Sequence, residues 1–127
     1  MFFNNALKQQ LLDTQQQLLY TDTLFQTLYN NIPIVQFSPD GHILSANDLF
    51  LSAVGYRLDE VANQHHRIFC DAQYAASTEY SAFWRDLKAG KANKGTFLRY
   101  GKHHKPVWLE ATYFPVFEQG QVTKIFK

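Results

Sequence analysis

The stretch from Phe37 to Gly55, FSPDGHILSANDLFLSAVG, constrains the fold of this chain more than any other. Two short apolar pieces flank Asp40-Gly41, and glycine accepts the positive φ that a tight β-turn needs, so the pair predicts a β-hairpin. Its strands are read as Ile34 to Phe37 and His42 to Ala46. A helix follows over Asn47 to Val54, with Leu49, Phe50, Ala53 and Val54 on one side. Asn47 or Ser45 supplies a capping oxygen at its start, and Gly55 is placed to end it.

Upstream, residues 4–30 contain no glycine or proline and are rich in Gln and Leu. Leu7, Leu11, Leu18, Phe25 and Leu28 fall along one stripe that Leu12 and Leu19 widen, which predicts an amphipathic helix. Thr14, Thr21 and Thr23 weaken its propensity. The seven-residue interval Leu11, Leu18, Phe25 fits a coiled-coil seam, although Thr14 and Thr21 are polar at the partner positions. The helix either packs on its own domain or joins two copies of the chain. The width of the stripe points to a homodimer through residues 4–30. Pro33 pushes the residue before it out of the helical region and so ends the segment. The expected division is an N-terminal helix over residues 1–30 and a domain over residues 31–127.

Downstream, Leu58 to Ala62 is one more helical turn, and residues 63–76 read as irregular. Ser77 or Thr78 caps a clearer helix from Glu79 to Ala89, with Tyr80, Phe83, Trp84 and Leu87 at core spacing and Gly90 at its end. Gly95 to Tyr100, Val107 to Phe117 and Val122 to Phe126 read as strands, separated by a polar turn at Gly101 to Lys105 and a second turn at Glu118 to Gln121. Strands separated by a block of helices argue for an α+β domain, an antiparallel sheet with short helices on one face. The chain stops in an apolar strand without a polar tail and reads as a piece of a longer protein.

Composition narrows the function classes. A net charge of +1 offers no basic stripe for nucleic acid. No apolar run approaches the ~20 residues that span a bilayer, and the start lacks a secretory signal. Cys70 is the only cysteine, compatible with a reducing cytoplasm. No Gly-rich phosphate loop, GxSxG elbow or HExxH pair occurs, so the chain is not expected to be an enzyme.

The blocks FSPDGHILSANDLFLSAVGY, LDEV, QHHRIF and EYSAFWRDLKAGKANKGTFLRYGKHHKPVWLEATYFPVF stand in the order and spacing that PAS sensor domains use. Residues 31–127 resemble a PAS domain, of the type found in bacterial chemotaxis and aerotaxis transducers. The resemblance implies a five-stranded antiparallel sheet whose inner face is covered by helices over a pocket. It further implies a sensor that passes a ligand or cofactor state to an effector domain beyond the fragment. The same module occurs with histidine kinases and cyclic-dinucleotide synthases, and a ligand-free interaction module is the alternative class.

The candidate pocket residues are Asn47, Phe50, His66, Phe69, Trp84 and Phe97. Asn47 matches an asparagine linked to flavin binding in the aerotaxis receptor; its other role is the helix cap. Trp84 matches a helix tryptophan of that pattern. A second tryptophan and a strand asparagine of the pattern are Asn93 and Arg99 here, which disfavours flavin. Cys70 lies outside the asparagine-cysteine-arginine motif of light-oxygen-voltage photochemistry. His66 matches a histidine that could ligate haem, and otherwise anchors its loop by hydrogen bonds. Haem and a small metabolite stay open as ligands. His65, His66 and Cys70 lack the second ligand pair of a structural zinc site. Glu110, in mid-strand, is either a buried ligand acceptor or an exposed partner of Arg99 or Lys124.

Overall fold

The computed structural model describes residues 2–127; Met1, the first residue of the expected N-terminal segment, lies outside the described residues. The chain divides into two units, one ending at Ile32 and the other running from Pro33 to Lys127.

The first unit is a single helix, α1, over Phe2–Asn31. Its interior threonines are accommodated by back-bonding: the Thr21 and Thr27 hydroxyls donate to the carbonyls of Gln17 and Thr23 at 3.0 and 2.8 Å. Asn31 Nδ2 donates to the Thr27 carbonyl at 2.7 Å, satisfying one of the last-turn acceptors. Leu7, Leu11, Leu18, Phe25 and Leu28 are all exposed.

In the second unit the Asp-Gly signal forms as expected. Gly41 adopts φ 92°, and its N–H donates to the Ser38 carbonyl at 2.9 Å. The site is also tight, because a Cβ at Gly41 would lie 2.7 Å from His65 Nε2. The turn joins β1 (Val35–Phe37) to β2 (Ile43–Ala46). Helix α2 (Asp48–Val54) follows, with Asn47 rather than Ser45 as its cap and Gly55 at φ 75° closing it. Helix α3 spans Leu58–Val61. The segment read as irregular holds two short elements, a 3-10 turn at His66–Phe69 and helix α4 at Ala72–Ala75. Helix α5 (Thr78–Lys88) is capped by Ser77, whose Oγ accepts from the Tyr80 N–H at 3.2 Å.

The last three strands are β3 (Asn93–Tyr100), β4 (Pro106–Glu118) and β5 (Gln121–Phe126), each reaching beyond the span read from sequence. Asn93 and Lys94, missed because they are polar, pair with Tyr113 and Thr112 on β4. The β4–β5 hairpin turns on Gln119-Gly120, both at positive φ, the geometry whose twist matches that of the flanking strands. All pairings are antiparallel, and the sheet runs in the order β2-β1-β5-β4-β3. The two ends of the domain therefore meet in the sheet centre, where β1 lies against β5.

One face of this sheet is covered. Val35, Phe37, Ile43, Tyr113 and Ile125 project from it into a core completed by Phe50, Phe69, Tyr80, Phe83, Trp84 and Leu87 from the helices and turn. On β4 the inward set is Val107, Leu109, Ala111 and Tyr113, leaving Trp108, Glu110, Thr112 and Phe114 exposed. Glu110 thus takes the exposed reading, opposite Thr96. The suggested pairing with Arg99 is overturned: Arg99 shares the parity of Phe97 and is buried on the other face of the sheet. Lys124 is also not its opposite number, since that residue pairs with Val116.

Candidate functional site in the aromatic core

Helix α5 presents Tyr80, Phe83, Trp84 and Leu87 at helical spacing, so one side of a three-turn helix reaches the sheet. The 3-10 turn just before α4 carries His66 and Phe69 inward. Strands β3 and β4 add Phe97, Arg99 and Tyr113 from positions two apart, the period of one sheet face. These elements converge on His66.

His66 is fully buried, and six aromatic rings lie between 5.3 and 6.1 Å from its ring centre. Its Nδ1 is 2.7 Å from the Tyr80 hydroxyl and its Nε2 is 3.0 Å from the Tyr113 hydroxyl. Desolvation drives its pKa well below the usual 6.5, reinforced by the Arg99 and Lys127 charges. The ring is therefore neutral. Arg99 Nε, a donor only, bonds the Tyr113 oxygen at 3.1 Å. The Tyr113 proton then has His66 Nε2 as its acceptor, which leaves Nδ1–H to donate to Tyr80. A directional chain runs Arg99, Tyr113, His66, Tyr80, and links β3 and β4 to the turn and to α5. Cys70 Sγ stands 3.6 Å from His66 Nδ1, and burial pushes its thiol pKa up.

The six expected pocket residues lie in or against this core. Phe50 and Phe69 meet edge to face at 5.4 Å, and Trp84 lies 5.3 Å from His66. Phe97 is half-buried and meets Tyr113 edge to face at 5.1 Å. Asn47 is also buried, but its side-chain oxygen accepts from the N–H groups of Ile34 and Phe50, each at 3.0 Å. It ties the start of β1 to the start of α2. Tyr80, Tyr113, Arg99 and Lys127 join the site although sequence reasoning did not place them there. For Arg99 and Tyr113 the signal was available, since both share inward parity with Phe97 and Ala111.

Two cations sit among these rings. The Arg99 guanidinium lies 4.8 Å from the Phe97 ring centre, and the Lys127 ammonium 4.9 Å from that of Tyr113 and 5.3 Å from that of Phe50. Among the described residues, the buried side-chain nitrogens and oxygens without a hydrogen-bond partner are Arg99 Nη2, Lys127 Nζ, Trp84 Nε1 and Thr123 Oγ1. The Lys127 stem keeps some contact with solvent, but its ammonium does not, and desolvation brings its pKa down to about 7.

The cofactors implied by resemblance can be set against these residues. Haem ligation by His66 needs a free ring nitrogen, and both nitrogens here are engaged by tyrosines. His65 instead caps its own turn, its Nδ1 accepting from the Arg67 N–H at 3.1 Å, with its ring edge to face on Trp84 at 5.7 Å and its Nε2 against Gly41. Neither residue fits as an iron ligand in this arrangement. A flavin would meet the Arg99 side chain on the inner sheet face rather than an amide. Among the described residues no group of three His, Cys, Asp or Glu is placed to hold a metal ion.

A family model for the PAS domain matches residues 31–126. The chain belongs to the PAS domain family. The biofilm dispersion protein BdlA of Pseudomonas aeruginosa is 45% identical over 94 residues, which cover 73% of this chain and 22% of that protein. This PAS chain therefore spans about a fifth of the length of that relative. Among solved structures, a domain of a sensory box sensor histidine kinase/response regulator from Geobacter sulfurreducens superposes with a TM-score of 0.72. That match is 18% identical and covers 86% of this chain and 92% of the other. An RNA-binding light-oxygen-voltage receptor superposes with a TM-score of 0.73 at 23% identity, covering 87% of this chain and 32% of the other. At such identities these two show the shared PAS fold alone.

Proposed function

We propose that this PAS domain is the sensory module of a bacterial chemotaxis-type transducer and works in the cytoplasm without an enzymatic activity of its own. The observation that carries the reading is the polar chain Arg99–Tyr113–His66–Tyr80 inside an otherwise apolar core, in a domain 45% identical to a biofilm dispersion protein. Arg99, a donor only, sets the direction of this chain, and drawing Arg99 away from Tyr113 would free that hydroxyl for a second arrangement. A ligand shifts the balance between two arrangements only by its differential affinity for them. The sheet carries the difference outward: β3 and β4 hold Arg99 and Tyr113, and β5 pairs with β1 at the chain's entry into the domain.

The output side of this proposal is a homodimer. Helix α1 carries only Lys8, Asp13 and Asp22 as charged residues, and its apolar stripe from Leu7 to Leu28 is exposed along about 30 Å of helix. Isolated helices gain most of their stability from packing an apolar face, and a second copy of α1 supplies that face here. Among the described residues no helix is long and apolar enough to cross a membrane.

A second reading, a ligand-free interaction module, draws on the dense ring packing around His66. A chimera separates the two. Residues 31–126 replace the matching segment of the P. aeruginosa relative, and dispersion by cells carrying the chimera is scored. Restored, stimulus-dependent dispersion supports the sensor. A chimera that is abundant but gives a constant output whatever the stimulus supports the passive module.

A further inference from the structure

Arg99 is 3% exposed, and its guanidinium spends two nitrogens on the Tyr113 hydroxyl and the Leu98 carbonyl, both at 3.1 Å. The third, Nη2, is buried without a hydrogen-bond partner, although the Tyr74 hydroxyl also feels the guanidinium, and the Lys127 ammonium, 4.9 Å from the Tyr113 ring centre, is likewise unpartnered. Among the described residues neither cation enters an ion pair. A guanidinium cannot shed its charge, and a buried cation is normally paired. The acids already in the core do not supply the missing charge. Burial pushes the pKa values of Cys70, Tyr74, Tyr80 and Tyr113 up, which keeps them neutral, and His66 is neutral as well.

Arg99 also forms part of the wall of a cavity of about 360 Å3, between β3 and the start of α4. The other walls include Asp71, Tyr74, Phe97 and Tyr100. This volume is in the range that holds small ligands, and its rings suit a flat apolar body. Asp71 is the one carboxylate on the wall. It is committed to its own helix, accepting from the Tyr74 N–H at 3.4 Å.

We propose that Arg99 is the anchor of a binding site for a small monocarboxylate, whose carboxylate meets Nη2 while its apolar body lies against Tyr74 and Phe97. The planar guanidinium matches a carboxylate in shape. The Asp71 carboxylate on the same wall repels a dianion more strongly than a monoanion, so phosphate is selected against relative to a monocarboxylate. The site deepens the sensory reading and rests on it, but binding to the purified chain is measured apart from signalling, so either can fail alone.

The test uses the 127-residue chain with benzoate as probe, benzyl alcohol as its uncharged counterpart and inorganic phosphate as the dianion. Benzoate is expected to bind saturably in calorimetry, and Arg99→Met to weaken it at least tenfold. Benzyl alcohol and phosphate are expected to bind at least tenfold more weakly than benzoate. The Arg99 Nε–H resonance of the unmodified protein is followed in parallel, so a variant that fails to fold does not block the result. A benzoate-dependent shift of that resonance supports the site. No binding of benzoate, equal binding of benzyl alcohol, or an unmoved Arg99 signal overturns it.

Discussion

The Nε2 of His66 and the hydroxyl of Tyr113 lie 3.0 Å apart, although 47 positions separate them in the chain. This contact fastens the turn before α4 to strand β4, and Arg99 of the neighbouring β3 holds the same hydroxyl. The surrounding rings alone could not fix one orientation of the imidazole. The two hydroxyls do so by assigning a donor and an acceptor to its nitrogens.

Replacing Tyr113 by Phe removes both bonds and leaves His66 Nε2 and Arg99 Nε buried without partners. Unsatisfied buried groups cost about 1–3 kcal/mol each, so the two together predict a loss of about 2–6 kcal/mol. Urea denaturation is expected to show a loss in that range with an unchanged slope. No loss would mean that water replaces the hydroxyl.

Trp84 packs edge to face on Phe37 at 5.4 Å and on Phe83 at 5.7 Å, with 8% of its surface exposed. Trp84→Ala is expected to cost about 3–5 kcal/mol, the range for a large core aromatic. A loss below about 1 kcal/mol is typical of surface positions and would contradict the packing.

Stability should rise with pH from the acid side. His66 has a folded pKa below its unfolded value, so the unfolded chain binds the proton more readily. As pH falls below about 6.5, each unit removes up to about 1.4 kcal/mol until the folded pKa is reached. His66→Phe should flatten that limb. Lys127 acts in the same direction from its folded value of about 7 up to its ordinary 10.5, where deprotonation in the folded state relieves the buried charge. Lys127→Met should flatten this second limb. Denaturant midpoints measured between pH 5 and 9 check both slopes, and a wild-type curve that falls with pH over that span contradicts both.

The exposed stripe of α1 makes a further expectation measurable. Light scattering should give a dimer for the intact chain and a monomer, or an aggregating species, once residues 1–30 are removed. An intact chain that stays monomeric at high micromolar concentration contradicts the dimer.

Local signals in the sequence translated well into structure. Asp40-Gly41, the Asn47 cap, Gly55 and the α5 spacing each act within a few residues, and each formed its element. The short elements between residues 63 and 76 escaped because four residues are too few for a period to show. The pocket residues Phe50, Phe69, Trp84 and Phe97 were legible as core aromatics. The polar chain was not, because its members come from four separate elements and a tyrosine hydroxyl leaves no trace in hydrophobic patterning. Arg99 was misread for a related reason. A charged residue in a strand is assumed to face water, whereas its parity with Phe97 places it inside.

Signal reading by the polar chain in the core can be probed by placing Tyr113→Phe in the dispersion chimera and recording output against stimulus at matched protein abundance. The expected output no longer follows the stimulus and is fixed either on or off. A Tyr113→Phe chimera that responds like its parent across the same stimulus range would contradict it.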